Sequence, residues 1–196
     1  MASPSEIDPD RSALERTAAG DAESFGAIVE RHEGRLYRLC LSMLGDREEA
    51  REATQDAFLK AFRGAASWRP RGRVYTWLYR IAVNGCLNRL RRRKLAHFLG
   101  FGDIGPASED EAGEWDPADG GPSAEQRLLD RRAWMRTRRA VEALPANQQA
   151  VLVLAKFEGL SYREIAETLE ITPGAVESRL FRAMRRLEVN LAEDSA

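Results

Sequence analysis

Trp77, Arg80, Asn84, Asn88 and Arg91 recur at spacings of three, four, four and three. On a helix that turns 100° per residue they share one face. An indole among amides and guanidiniums suits nucleic acid that is open or being opened. The ring can stack on an unpaired base, for ~1–3 kcal/mol per base. Asn amides bond base edges, and guanidiniums neutralise phosphates. The block Arg89 to Lys94 extends the same helix with bases. The opposite face, with Val74, Leu78, Ile81, Ala82 and Gly85, is apolar or small and can pack. A core tryptophan beside a solvated basic helix end would use the same residues, so the setting decides. From Ala57 to Gly102 there are eleven Lys or Arg and no Asp or Glu.

A second constellation lies in residues 161–187, which have helix-turn-helix length and pattern. Ile165, Ala166 and Leu169 face inward from a short helix, with Ile171 in the turn. Val176, Leu180, Met184 and Leu187 form the inner stripe of the next helix. Ala175, Ser178, Arg179, Arg182, Arg185 and Arg186 form its outer stripe. Such a helix enters a major groove at its N-terminal end, where Ser178 and Arg179 reach base edges and the later arginines hold phosphates. Gly174 and Ala175 permit close approach. A plain helical hairpin with a solvated basic side is the alternative reading.

The elements that position these faces read as all-α. The net charge of −1 over 196 residues conceals segregation: residues 103–126 carry eight acids and no base. A basic block followed by an acidic one points to a polyanionic partner. Residues 1–14 are polar and aperiodic and are expected to lack structure. Phe25, Ile28, Val29, Leu36, Leu39, Cys40, Met43 and Leu44 mark a helix that ends at Gly45. Asp46 with Glu49 resembles a capping box for a second helix, to about Arg63. Residues 64–73 form a Gly-, Arg- and Pro-rich loop. Residues 95–126 read as a flexible acidic linker. Helical pattern resumes near Ala124 and stops at Pro145; a further helix covers about Asn147 to Phe157, its run Val151 to Leu154 included. Ser161 and Glu164 make another capping box, and Thr172 caps a long helix with Pro173 at its first position. The fold class is two small helical domains, about 15–94 and 127–192, joined by the linker.

Cys40 and Cys86 lack metal spacing and fall on apolar helical stretches, so buried reduced thiols are expected; His32 and His97 add too few ligands for zinc. No signal peptide or membrane-length apolar run is present, and the chain reads as cytoplasmic. No nucleophile–base pair or phosphate loop suggests an enzyme, and no cofactor or metal is expected.

The stretch Glu52-Ala53-Thr54-Gln55-Asp56-Ala57-Phe58-Leu59-Lys60-Ala61-Phe62 resembles the polymerase-binding helix of bacterial sigma factors. Trp77-Leu78-Tyr79-Arg80-Ile81-Ala82 with Asn84, Asn88 and Arg91 resembles their promoter-melting and minus-ten-reading helix. Leu144-Pro145, Ser161-Tyr162-Arg163-Glu164-Ile165-Ala166 and Ser178-Arg179-Leu180-Phe181-Arg182-Ala183 resemble their minus-thirty-five-reading domain. The ordered set resembles the minimal, extracytoplasmic-function (ECF) class. Ala53, Val74 and Asn88 depart from that class's usual residues without removing a basic or amide contact group.

The resemblance implies the roles. Glu52, Gln55, Asp56, Leu59 and Lys60 would dock on clamp helices of core RNA polymerase. The loop 64–73 would hold a flipped base. Arg71, Arg73, Trp77, Arg80, Asn84, Asn88, Arg91 and Arg92 would engage the minus-ten element. Thr172, Gly174, Ala175, Ser178, Arg179, Arg182, Arg185 and Arg186 would engage the minus-thirty-five element. The partners would be core polymerase, including its flap, promoter DNA and an anti-sigma factor. The acidic linker would lie along the RNA exit path. Apart from the resemblance, its charge opposite to the nearby basic helix makes a fold-back onto that helix in the free protein a further expectation. Two other functions stay in view: a sigma mimic that titrates an anti-sigma factor, and a conventional helix-turn-helix regulator. The mimic would be expected to lose its DNA-contact bases, and the regulator leaves the Trp77 helix unexplained.

Overall fold

The computed structural model describes residues 8–68, 73–99 and 135–193. Among them every regular element is helical. The N-terminal half holds α1 (Pro9–Ala18), α2 (Ser24–Leu44), α3 (Arg47–Gly64), a 3₁₀ turn (Ala65–Ser67) and α4 (Val74–Phe98). The C-terminal half holds α5, described over 135–142, then α6 (Ala146–Lys156), α7 (Tyr162–Leu169) and α8 (Pro173–Glu193). The acidic linker expected over 95–126 starts too early, because α4 continues to Phe98; residues 100–126 lie outside the described residues. No described helix is long and apolar enough to cross a membrane.

The expectation that residues 1–14 lack structure fails from Pro9 onward. Asp8 caps α1, accepting from the Asp10 N–H at 3.1 Å, and Pro9 opens it. Only Ala13 and Leu14 among its apolar residues are buried, too few to show a period. The tie to the body is polar. Asp10, itself buried, accepts from Arg31 and lies 2.7 Å from His32 Nε2. A buried carboxylate between two bases is held far more firmly than one left alone.

In α2 the stripe from Phe25 to Leu44 is buried as its spacing requires, except Val29, which is half-buried at its edge. Gly45, at φ 74°, ends the helix in the left-handed region that glycine adopts without strain. The last carbonyls of α2 all find donors. Leu41 accepts from Gly45 N (2.9 Å), Ser42 and Met43 from the Gln149 amide (3.3 and 3.0 Å), and Leu44 from Arg93 (3.0 Å). One helix end is therefore closed by side chains from both halves of the chain.

Asp46 caps α3 through the Glu49 N–H at 2.8 Å. The reciprocal half of the expected box is replaced: the Glu49 carboxylate pairs with Arg93, 3.1 Å away. The box at Ser161 and Glu164 is complete. In α6 the residues Ala150 to Leu154 are buried on every side, because α6 lies between α8 and the N-terminal helices. A continuous apolar run is what such a position selects.

Candidate nucleic-acid interface

Helix α4 is buried along Val74, Leu78, Ala82, Val83 and Cys86. Ile81 and Gly85 are half-buried beside α3. The outward side carries Asn84, Asn88, Arg91 and Arg92, all exposed. Trp77 belongs to both worlds. Its ring is half-buried against the end of α3, where a Cβ on Gly64 would come 3.3 Å from Cζ2. Arg73 is exposed and its guanidinium lies 5.9 Å from the Tyr75 ring centre. Arg71 lies outside the described residues.

The basic block splits by role. Arg89 pairs with Glu52 (3.1 Å) and Asp56 (2.6 Å) on α3, and Arg93 pairs with Glu49 and the Leu44 carbonyl. Arg91, Arg92 and Lys94 project outward. Helical phase decides which arginine packs and which stays solvated.

Glu52, Gln55, Asp56, Leu59 and Lys60 line one exposed side of α3, with Leu59 51% exposed. The edge-on contacts of Phe25 with Phe58 and Phe62 support this side from beneath. The Glu52 and Asp56 carboxylates are not free acids, since Arg89 bridges them.

In the second half, Val176, Leu180 and Ala183 are buried, and Met184 and Leu187 pack partly. Thr172 caps α8 through the Ala175 N–H at 3.2 Å. Gly174, Ser178, Arg182, Arg185 and Arg186 are exposed, while Ala175 and Arg179 are half-buried. Phe181 was not picked out by the sequence pattern, yet its ring is 63% exposed between Ser178 and Arg182. The available signal was an aromatic residue outside the inner stripe.

Arg80 is brought elsewhere than its helical face suggested. Its guanidinium donates to Glu170 at 2.7 Å and to the Glu167 carbonyl. Tyr79 donates to Glu158 at 2.7 Å, and Tyr75 donates to Glu164. The Tyr75 hydrogen bond, foremost, holds the Glu164 carboxyl below its ordinary range. Glu158 and Glu170 were not singled out by sequence, and Glu164 only as a helix cap, because nothing in their spacing names α4 as their partner. Cys40 and Cys86 are both buried and free.

Described residues whose regular elements are all helical, with an exposed amide-and-base helix in one half and a capped helix-turn-helix in the other, have the make-up of a nucleic-acid-binding protein of two helical parts. The sigma-70 region 2 family model matches residues 28–95, and the sigma-70 region 4 model matches 134–187. The RNA polymerase sigma-H factor of Pseudomonas aeruginosa is 30% identical over 185 residues, covering 91% of this chain and 92% of the relative. The ECF sigma factor SigM of Mycobacterium tuberculosis is 36% identical over 178 residues, covering 91% and 82%. The ECF sigma-E factor of Escherichia coli is 31% identical over 185 residues, covering 91% and 92%. The chain thus belongs to the ECF group of the sigma-70 family, and it is an RNA polymerase sigma factor that directs transcription initiation. Its fold matches two solved complexes: CnrH with the cytosolic domain of CnrY (24% identity, TM-score 0.65, covering 95% of this chain and 99% of that one), and RpoE with the anti-sigma factor NepR from Bartonella quintana (22%, 0.65, covering 87% and 98%).

Proposed function

We propose that α4 reads and helps open the minus-ten element, that α8 reads the minus-thirty-five element, and that the outer side of α3 docks on core polymerase. The observation that carries the reading is the outward side of α4. There Asn84, Asn88, Arg91 and Arg92 stand solvated on a helix whose other side is core. Amides and bases held on a rigid support present their donors and acceptors to an exposed strand in a fixed array.

On α8 the exposed Ser178 and Phe181 sit where base edges and thymine methyls are met, and Arg182, Arg185 and Arg186 sit where phosphates run. On α3 the Leu59 side chain supplies apolar contact area between Gln55 and Lys60. Because Arg89 holds Glu52 and Asp56, docking on basic polymerase surface would proceed with partly neutralised acids. The protein works without catalysis of its own, in the cytoplasm. An anti-sigma protein is its regulatory partner, by analogy with the complex of RpoE with the anti-sigma factor NepR.

Run-off transcription with core polymerase on fragmented genomic DNA tests the reading. Discrete starts that depend on this protein and share two spaced elements are expected. Single alanine replacements at Asn84 or Asn88 should then change preference at the downstream element alone, and Ser178→Ala at the upstream one alone. Starts that ignore these substitutions would overturn the residue assignments.

A further inference from the structure

Helix α1 touches both surfaces that hold the Trp77 indole. It packs on the 3₁₀ turn that follows Gly64, and on α4 itself. Gly64 is where the indole rests, its Cζ2 lying 3.3 Å from the place a Cβ would take. Asp8, at the head of α1, accepts the first N–H of α4, that of Val74, at 2.7 Å. Trp77 closes the first turn of that helix. The bond that closes it, from the Trp77 N–H to the Arg73 carbonyl, is long at 3.4 Å. The N–H groups of a first turn have no partner within the helix, and such a turn frays unless something outside accepts them. Here the acceptor is a carboxylate, whose charge also suits the positive end of the helix dipole.

We propose that Asp8 is a positioning residue for promoter opening: it pins the first turn of α4 to α1 and so fixes the Trp77 indole as a stacking surface for an unpaired base. The proposal rests on the minus-ten reading of α4.

The pin is useful because α1 is itself held. Leu14 is fully buried, and the Asp10 carboxylate accepts from Arg31 and lies 2.7 Å from His32 Nε2, both on α2. Support thus runs from α2 through α1 to the start of α4. The indole also needs it more than the amides do. Asn84 and Asn88 lie further along the helix, where the buried Val83 and Cys86 anchor it. Trp77 sits in the turn where a helix opens first, half-buried and with one side of its ring against Gly64. A ring that shifts with a fraying turn offers a base no fixed plane to stack on, and stacking is worth ~1–3 kcal/mol per base.

The test uses holoenzyme assembled from core polymerase and the full chain, with a promoter found by run-off transcription. One probe is a fork: duplex through the upstream element, single-stranded over the non-template minus-ten. A second probe is a duplex that carries the upstream element alone. The proteins are wild type, Asp8→Ala, Trp77→Ala, the double variant and Arg93→Ala, the last a stability control at the other end of α4. Affinities are measured at a temperature where circular dichroism shows every variant folded. Asp8→Ala should weaken binding to the fork about fivefold and leave the upstream duplex unaffected. In the Trp77→Ala background it should cost nothing further. Arg93→Ala should bind both probes as wild type does. An equal loss in both backgrounds overturns the proposal, because Asp8 then acts by a route other than the indole. No loss for Asp8→Ala overturns it, and so does the same loss for Arg93→Ala or a loss on the upstream duplex, since each leaves only a structural cap. If Trp77→Ala alone binds the fork as wild type does, the reading of the indole falls and the proposal with it. If wild type does not prefer the fork to the upstream duplex, the minus-ten reading of α4 falls.

Discussion

The Asp8 carboxylate accepts the backbone N–H of Val74 at 2.7 Å, 66 residues away, while its other oxygen caps α1. One side chain thus satisfies orphan donors at the starts of two helices, and it fixes where the minus-ten helix begins.

Replacing Asp8 by alanine removes both caps. A loss of about 1–2 kcal/mol is expected, measured as a lower urea midpoint with an unchanged slope. Asp8→Asn should lose less than alanine but not be neutral, since its single amide oxygen can accept from only one of the two N–H groups and its NH2 faces the other. Equal losses for alanine and asparagine would show that the cap contributes little.

The split of the basic block predicts opposite phenotypes for neighbouring arginines. Arg91→Ala/Arg92→Ala should leave stability unchanged and reduce the salt slope of single-strand binding by about 1.4, from two lost phosphate contacts. Arg93→Ala should leave that slope alone. It strips a donor from the Leu44 carbonyl and a partner from Glu49, costing about 1–2 kcal/mol. A reduced slope for Arg93→Ala would contradict its structural role.

Cys40 on α2 and Cys86 on α4 are both fully buried in the core. Neither thiol should react with a soluble disulfide reagent in the folded protein, and both should react at once in denaturant. Reaction at the rate of a free thiol under native conditions would show that α2 and α4 separate readily.

His32 supplies a pH dependence. Burial, then the neighbouring Arg31 and Arg35 guanidiniums, hold its imidazole below the ordinary 6.5. The unfolded chain therefore binds the proton first as pH falls. Stability from this group is complete above the unfolded value and declines as pH drops towards the folded one. The urea midpoint should fall between about pH 7 and about pH 5.5, and His32→Gln should flatten that part of the profile. A midpoint that rises on acidification would mean that the Asp10 carboxylate outweighs burial and favours the imidazolium.

Much of the molecule is legible from residue order alone. The apolar periods of α2 and α8, the Asp46, Ser161 and Thr172 caps, and the outward placement of Asn84, Asn88, Arg182, Arg185 and Arg186 all follow from local helical geometry. Each depends on neighbours a few residues away, and a 3.6-residue period records such relations directly. Even α1 had its signal in Asp8-Pro9, a cap followed by a first-turn proline, though two buried apolar residues gave no period to support it.

Tertiary structure decided which chemically similar residues do different work. Arg89 and Arg93 pair with α3 while Arg91 and Arg92 stay in water, because one helical turn points them to different neighbours. The Trp77 indole is half-sunk against Gly64, and Arg80 meets Glu170, 90 residues away. Charge and hydrogen-bonding capacity are written in the sequence, but a partner is chosen by distance in space. Pairs that far apart in the chain meet only once the two halves pack.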